Sequence, residues 1–347
     1  MGSVCTSCSA SRPTGEELIG QIFGGVQIES RIATGGMAVV LLGRQEHTQR
    51  QVALKILRPE RQLSHRDREY FVREARALGQ IRHPHVVELY SAGVENGRNY
   101  MVLEYVPGRT LREIVEEDGA MEPLRCLRLF RQLLLAIEAV HATGILHRDL
   151  KPDNILVEPL DDGVKERLRL ADLGLVKFTS AHLPALTGHG MTVGTPCYMS
   201  PEQVRGEKLD ERSDLYTVGV LLFESLTSYL PYPEEETVDL LLDHVLDTDP
   251  AKLSRVDRSL DRFPGVQSLL DQLMAKSRPD RPASAAAVVE IIDHLLETEL
   301  VADVQSALAE VSSMGSAGEG SLRENVVEGI LVAVVTTSRK GGGGVSP

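Results

Sequence analysis

The sequence predicts an α+β fold of two lobes, a small β-rich N-lobe with one main helix and a larger helical C-lobe. Short apolar runs bounded by turn residues dominate residues 24–105, as is typical of strands. Apolar residues recur at a period near 3.6 over much of residues 106–298, as is typical of helices. The dipeptide Pro107-Gly108 separates the two patterns and predicts a hinge near residues 104–108.

In the N-lobe, residues 26–32 and 38–43 are predicted to form a hairpin around a glycine-containing turn. Residues 51–57 (QVALKIL) predict a short buried strand that contains one lysine. Residues 66–78 have helical spacing and predict the main helix of this lobe. Strands at 85–92 and 100–105 complete the predicted sheet.

In the C-lobe, residues 124–143 carry an apolar stripe with helical spacing that includes His141. Residues 215–226 are apolar nearly all round, which predicts a helix buried in the middle of the lobe. Ser284 is a candidate N-cap for the last helix. We therefore expect a disordered polar leader over 1–20, one domain over 21–298, and a tail over 299–347 that is partly helical and then flexible.

Composition narrows the function classes. A formal net charge of −13 over 347 residues argues against a broad nucleic-acid-binding surface, because such surfaces are basic. The apolar runs are too short to span a membrane, so we expect a cytoplasmic protein. The start Met1-Gly2 with Cys5 leaves a lipid-anchored N-terminus as the alternative. The pair Cys5/Cys8 has no second pair to complete a zinc site.

The strongest chemical signal is the motif HRDLKPDNIL followed by LADLG. Phosphoryl transfer needs an acceptor hydroxyl held in line and charge neutralised on the phosphates. Asp149 can accept or orient the hydroxyl proton, and Lys151 can neutralise the transferring group. Asn154 and Asp172 supply oxygen atoms of the kind that Mg²⁺ binds together with phosphate oxygens.

In this order and spacing, the motifs resemble the catalytic loop and the metal-binding motif of protein kinases. The resemblance is to the bacterial eukaryotic-like (Hanks-type) Ser/Thr protein kinase family, and it covers roughly residues 24–296. It implies transfer of the γ-phosphate of ATP to Ser/Thr hydroxyls of a protein substrate, with Mg²⁺, or alternatively Mn²⁺, as the cofactor. It also allows a transient homodimer formed through the N-lobes.

The resemblance assigns roles residue by residue. Lys55 in VALKIL would grip the α- and β-phosphates, with Glu74 in FVREA as its ion-pair partner. Glu104 and Val106 would meet adenine through backbone groups, with Leu103 as the gatekeeper behind the base. The implied catalytic residues are Asp149, Lys151, Asn154, Lys55 and Glu74, and the implied metal ligands are Asn154 and Asp172. The implied nucleotide-binding residues are Ile32, Ala33, Gly35, Gly36, Val40, Ala53, Lys55, Leu103, Glu104, Val106, Leu156 and Asp172.

The resemblance also implies structural or regulatory roles for Glu202, Asp214 and Arg148. Glu202, in GTPCYMSPE, would pair with Arg281 and so anchor the peptide-binding end of the activation segment. Asp214 would hold the catalytic loop, although taken alone it could instead cap the helix that follows it. Arg148 would bind a phosphate on the activation segment, where Thr187 and Thr192 are the candidate autophosphorylation sites.

The phosphate loop departs from the family pattern, which asks for glycine at positions 33, 35 and 38. Gly35, where we expect the least room, is kept, but Ala33 and Ala38 are alanines. Alanine holds extended backbone angles without strain, so the substitution costs little if both positions are extended.

Three interpretations follow. Because Lys55, Asp149, Asn154 and Asp172 are all present, we expect an active kinase. The first alternative is a pseudokinase scaffold that binds nucleotide or partners without transfer. The second is a small-molecule phosphotransferase of similar fold, which ranks last because the GTP…SPE segment suits a peptide acceptor.

Overall fold

The structure is a computed structural model, and it describes residues 15–35, 38–57, 75, 79–160, 165–172, 196–233, 235 and 237–298. Several sequence predictions fall outside these described residues, namely those made for Gly36, Glu74, Thr187, Thr192, the Cys5/Cys8 pair and most of the 66–78 helix. The chain divides into two compact units, Met1–Val289 and Glu290–Pro347.

The N-lobe is built on a six-stranded antiparallel sheet with the order β1-β2-β3-β4-β6-β5. Its strands are β1 (Ile22–Phe23), β2 (Val26–Thr34), β3 (Ala38–Gln45), β4 (Gln51–Leu57), β5 (Leu89–Glu95) and β6 (Arg98–Glu104). Because side chains alternate along a strand, the sheet has two distinct faces. One face packs a core that includes Leu41, Leu54 and Val102. The residues that alternate with them, such as Ala53 and Lys55, point to the other face.

A three-stranded sheet lies in the C-lobe, made of β7 (Arg109–Thr110), β8 (Ile155–Pro159) and β9 (Glu166–Leu170). The β8–β9 hairpin is antiparallel, with Ile155 opposite Leu170. Glu166 accepts two hydrogen bonds from the guanidinium of Arg125, at 2.8 and 2.7 Å. This hairpin therefore fixes the chain immediately before Asp172, which follows β9 by two residues.

Helices make up most of the C-lobe. The described helices of the first unit include α1 (Leu111–Asp118), α2 (Pro123–His141), α3 (Pro201–Val204), α4 (Glu211–Thr227), α5 (Val238–Asp247), α6 (Leu253–Val256) and α7 (Pro264–Leu273). Every residue of α4 from Ser213 to Thr227 is buried, which confirms the predicted central helix. The N-cap of α4 is Asp210, whose side chain accepts from the Arg212 amide at 3.0 Å. The alternative that Asp214 caps this helix is therefore wrong.

One strand begins later than the sequence predicts. The predicted strand over 85–92 is observed as β5, which starts at Leu89. The residues before it bond instead to the C-lobe hairpin: the Leu170 amide donates to the His85 carbonyl at 2.8 Å, and the Val87 amide donates to the Leu170 carbonyl at 2.9 Å. An apolar pattern does not show which of two sheets a short extended segment will join.

The two ends of the described chain are also ordered locally. Glu16–Leu18 form a 3-10 turn, and the Gly20 amide donates to the Ile28 carbonyl at 3.0 Å, ahead of the domain start predicted at residue 21. At the other end, the Ala287 amide donates to the Ser284 hydroxyl at 3.3 Å, which confirms the predicted cap. Residues 290–298 of the second unit are helical. Among the described residues, no helix is both long and apolar enough to cross a membrane.

Candidate active site

Asp214, in the first turn of α4, holds the backbone of the catalytic loop. Its carboxylate accepts from the backbone amides of His147 at 2.8 Å and Arg148 at 2.9 Å. It also lies 2.8 Å from His141 Nε2, which must carry the proton because a carboxylate can only accept. Arg148 has a left-handed backbone with φ of 62°, a strained conformation for a non-glycine residue. The two amide bonds to one buried carboxylate explain why the loop keeps this conformation.

The charge of Asp214 is secured by the same contacts. Burial would raise the pKa of Asp214, but the hydrogen bonds from His141 and from the Arg148 amide hold it below its usual range. For His147, burial lowers the pKa, so this ring is neutral near pH 7. The sequence placed His141 in an apolar helical stripe. The only sequence signal for its contact with Asp214 was that it is a polar residue within an apolar stripe.

Asn154 is fixed between the two loops that the sequence predicts to bind metal. Its side-chain Nδ2 donates to the Asp149 carbonyl at 2.8 Å, and its own carbonyl accepts from the Ala171 amide at 2.8 Å. Because Nδ2 is used in this way, the amide oxygen Oδ1 remains as an acceptor. Lys151 starts the 3-10 turn Pro152–Asn154 and accepts the Asn154 amide at 3.0 Å through its carbonyl.

Lys55 and Asp172 join the two lobes. Lys55 Nζ on β4 lies 2.5 Å from Asp172 Oδ1, and the two side chains are 12% and 35% exposed. Burial would raise the pKa of Asp172, but the Lys55 ammonium lowers it below its usual range, so the carboxylate is ionised. Asp172 has a φ of 56°, a second left-handed non-glycine position in this site. The structure thus brings together two residues that are 117 positions apart in the chain.

The donor set suits a divalent cation bound together with phosphate. Among the described residues, no group of three or more His, Cys, Asp or Glu side chains could hold a metal ion by itself. Asp172 offers a carboxylate and Asn154 an amide oxygen as metal ligands. Mg²⁺ commonly binds through one or two protein carboxylates, with phosphates and water completing its shell. The residues present therefore fit such an ion.

The predicted apolar wall of the nucleotide site lies largely on one face of the N-lobe sheet. Val40 is opposite Lys55, and Ala53 is opposite Leu103, so these four residues share the face that points away from the core. Ile32 lies at an irregularity in the β2–β3 register and is 46% exposed. Val106 is buried just beyond the end of β6, and Leu156 is half-buried on β8 in the C-lobe.

The two alanines of the phosphate loop have unstrained backbones. Ala33 lies in β2 and Ala38 begins β3, and neither has a positive φ. The hairpin closes through a hydrogen bond of 2.9 Å from the Gly35 amide to the Ala38 carbonyl. A Cβ atom added to Gly35 would meet only that carbonyl oxygen, at an ordinary 3.7 Å. The protein itself leaves space at Gly35, so the expected lack of room there concerns the approach of a phosphate and stays a prediction.

The hinge residue Glu104 has a side-chain role that the sequence did not predict. Its carboxylate forms an ion pair with Arg169 on β9, whose guanidinium also donates to the Val86 carbonyl at 3.0 Å. Its backbone amide donates to the Glu88 carbonyl at 2.8 Å. The ion pair links the hinge to the strand that leads to Asp172. No local signal identifies it, because the partners are 65 positions apart.

On the acceptor side, the predicted ion pair between Glu202 and Arg281 is present. Arg281 donates to both carboxylate oxygens, at 2.8 and 3.0 Å, and the two side chains are almost fully buried. Burial would raise the pKa of Glu202, but the hydrogen bonds from Arg281 lower it below its usual range. The next residue after Glu202, Gln203, donates to the Arg148 carbonyl at 3.1 Å. Helix α3 is thus attached to the catalytic loop.

Comparison with known proteins gives this geometry a family. The family model described as "Protein kinase domain" matches residues 26–295. The chain belongs to the protein kinase family. In this fold the HRD loop is held by Asp214, and Lys55 of β4 reaches Asp172.

Curated protein kinases of bacteria resemble this chain over most of its length. It is 36% identical over 280 residues to serine/threonine-protein kinase pkn3 of Myxococcus xanthus, covering 79% of this chain and 51% of that protein. It is 35% identical over 260 residues to PknL of Mycobacterium tuberculosis, covering 75% of this chain and 62% of that protein. The chain thus spans about half to two-thirds of the length of these relatives. The resemblance to the bacterial Hanks-type Ser/Thr kinases is confirmed.

Solved structures confirm the two-lobed fold. The PknI kinase domain of Mycobacterium tuberculosis aligns with a TM-score of 0.61 at 22% identity, covering 80% of this chain and 98% of that one. Residues 1–466 of Rad53, in complex with AMP-PNP, align with a TM-score of 0.63 at 27% identity. The latter alignment covers 76% of this chain and 64% of Rad53.

Proposed function

We propose that this chain is an active Ser/Thr protein kinase that transfers the γ-phosphate of ATP to a protein substrate with Mg²⁺ as cofactor. The observation that carries the proposal is the contact of Lys55 with Asp172 at 2.5 Å, across the lobes and beside a catalytic loop fixed by Asp214. A cation from one lobe and an ionised carboxylate from the other meet where phosphate and metal would have to be held.

On the acceptor side, Asp149 accepts or orients the proton of the substrate hydroxyl, and Lys151 neutralises charge on the group in transfer. Support comes from the rigid attachment of this loop: the amides of His147 and Arg148 bond to Asp214, and the Asp149 carbonyl accepts from Asn154. Holding an acceptor hydroxyl in line contributes much of the rate in phosphoryl transfer.

On the nucleotide side, Lys55 binds the α- and β-phosphates, and backbone groups of Glu104 and Val106 meet the adenine. Glu74 is the proposed partner of Lys55, and Gly35 and Gly36 lie in the loop over the phosphates. The adenine packs between Val40, Ala53 and Leu156, with Leu103 behind it, and Ile32 and Ala33 also line the nucleotide site. The AMP-PNP bound to Rad53, a structural neighbour, supports a nucleotide in this cleft.

Asn154 Oδ1 and the Asp172 carboxylate are the proposed metal ligands. A bound Mg²⁺ or Mn²⁺ ion neutralises the charge that develops on the phosphates. Asp172 is suited to this role because its carboxylate is ionised, and Asn154 because its amide nitrogen already has a partner. The activation segment adds a regulatory step in this proposal, the autophosphorylation of Thr187 or Thr192.

The test is transfer of labelled phosphate from Mg-ATP to casein, a general Ser/Thr-containing acceptor, followed by phosphoamino-acid analysis. We expect phosphoserine and phosphothreonine with the parent chain and none with Asp149→Asn. Asp271→Asn is the matched control, because Asp271 forms an exposed ion pair with Lys252 far from these motifs in the chain. If the parent binds Mg-ATP but transfers no phosphate to casein or to itself, the chain is a scaffold and the proposal is wrong.

A further inference from the structure

Arg112, near the start of α1, contacts three separate segments of the C-lobe. Its Nη1 donates to Glu224 Oε1 on α4 at 3.0 Å, and its Nη2 donates to the Tyr198 hydroxyl at 2.7 Å. The same Nη2 lies 3.9 Å from Asp153 Oδ2 in the catalytic loop. Its guanidinium carbon is also 5.9 Å from the centre of the Tyr198 ring.

The buried carboxylate of Glu224 needs the charge and hydrogen bonds that Arg112 and Tyr198 supply. It is 6% exposed, and a buried carboxylate is costly unless charged and hydrogen-bonding partners surround it. The Tyr198 hydroxyl lies 3.0 and 2.8 Å from its two oxygens, and Arg112 supplies a positive charge at 3.0 Å. Burial raises the pKa of Glu224, and the contacts with Tyr198 and Arg112 oppose that change.

Tyr198 ends the 3-10 turn Pro196–Tyr198, which precedes α3 in the chain. Its backbone carbonyl accepts from the Thr217 hydroxyl at 2.9 Å, while its side chain is held by Glu224 and Arg112. Two residues later, Ser200 begins the capping box of α3, and Gln203 of that box donates to the Arg148 carbonyl. Residues 196–204 are therefore attached at one end to α1 and α4 and at the other to the catalytic loop.

We propose that Arg112 is a positioning residue for the protein acceptor, because it sets the loop over residues 196–200 relative to the catalytic loop. This inference rests on the proposed kinase function. Arg112 touches neither the predicted phosphate-binding nor the predicted metal-binding residues among its described contacts. Its removal should therefore impair use of the protein acceptor and leave ATP binding intact.

The test compares Arg112→Met with Arg109→Met in the full chain. Arg109 is the matched control, an arginine three residues earlier whose partners Glu117 and Asp118 are exposed. Hydrogen exchange of the peptide over residues 196–204 should be about tenfold faster in Arg112→Met and unchanged in Arg109→Met. The KM for casein should rise about tenfold in Arg112→Met, with the KM for ATP unchanged.

A second substitution separates positioning from general damage. Glu224→Gln removes the carboxylate that Arg112 neutralises, so the double variant Arg112→Met/Glu224→Gln should recover much of the slow exchange. If Arg112→Met does not fold, Arg112→Lys tests the same claim, because lysine keeps the charge but cannot reach Tyr198 and Glu224 as a fork. Lysine should then give an intermediate exchange rate.

Unchanged exchange over 196–204, or equal rises in the KM for casein and for ATP, would overturn the proposal. Hydrogen exchange does not depend on catalysis. If the parent chain transferred no phosphate, the exchange comparison would still decide whether Arg112 holds the loop, and only the kinase proposal would fail.

Discussion

The catalytic loop and the phosphate-loop hairpin are held in opposite ways. In the catalytic loop, two consecutive amides bond to the buried carboxylate of Asp214, and Arg148 is kept in a left-handed conformation. In the hairpin, β2 and β3 pair through their backbones with two irregularities in register, and one backbone hydrogen bond joins Gly35 to Ala38 near the tip. The first region is fixed by side chains from elsewhere in the fold, while the second needs only its own backbone.

This difference explains why a departure from the family pattern is acceptable in one region and would not be in the other. Ala33 and Ala38 lie in strands with extended backbone, a conformation that any residue can adopt, so replacing glycine by alanine there costs little. A change at Asp214 would remove the only group that we find bonded to the amides of both His147 and Arg148 in the described chain. We therefore expect substitutions to separate into costly and mild sets.

The largest expected effect is on the stability of the fold, through the buried ion pair of Arg281 with Glu202. Arg281→Met leaves Glu202 buried without its cation and should lower the free energy of unfolding by about 3–5 kcal/mol. Lys252→Met, which breaks an ion pair with both side chains about half exposed, should change it by less than about 1 kcal/mol. Urea denaturation of both variants checks this, and similar midpoints would show that the buried pair is dispensable.

The next effect is on catalysis. Asp214→Asn places an amide N–H₂ where a backbone amide now donates, so the catalytic loop should shift and kcat should fall by about a hundredfold. Asp210→Asn is the control on the same helix, because asparagine caps a helix as well as aspartate does. Steady-state assays with casein measure both. If kcat of Asp214→Asn stayed within about threefold of the parent value, Asp214 would not be what holds the catalytic loop in place.

A smaller effect is expected on how the stability of the fold depends on pH under acidic conditions. The pKa of Asp214 is below its ordinary value of 3.8 in the folded chain, so its charge favours the folded state. That contribution is fully present above pH 3.8 and is lost as the pH falls through the lower folded-state pKa. Unfolding measured between pH 5 and pH 2 should therefore show a shallower loss of stability in Asp214→Asn than in the parent. Parallel curves would show that Asp214 is not preferentially ionised when folded.

The smallest effect should come from restoring the glycines. Ala33→Gly and Ala38→Gly should each lower stability by about 0.5–1 kcal/mol, because glycine is disfavoured within a strand. The KM for ATP should change by less than about threefold, since the alanines are unstrained. A tenfold gain in kcat/KM on restoring either glycine would show that the alanines obstruct the nucleotide.

The sequence predicted the elements and contacts that a short pattern encodes. The strand Gln51–Leu57 has the predicted bounds. The distant pair Glu202 and Arg281 was expected only because the family resemblance implied it. The contacts that sequence reasoning missed join residues far apart in the chain. Examples are Arg169 with Glu104, and Arg112 with Glu224, where no spacing rule connects the partners.

The failure at β5 has the same origin. Residues 85–87 have the apolar character of a strand, but they bond to Leu170 of the C-lobe hairpin rather than to the N-lobe sheet. A local pattern predicts an extended backbone, whereas the choice of partner strand depends on tertiary packing. The roles of Glu74, Thr187 and Thr192 lie outside the described residues and stay predictions.

The most direct measurement is the intact mass of the purified chain after incubation with Mg-ATP, beside Asp149→Asn and the double variant Ala33→Gly/Ala38→Gly. We predict the same gain of phosphate in the parent and the glycine variant, and no gain in Asp149→Asn. That result would show a working kinase whose phosphate loop tolerates both alanines. A gain in the glycine variant alone would contradict this, because it would show that the alanines disable transfer.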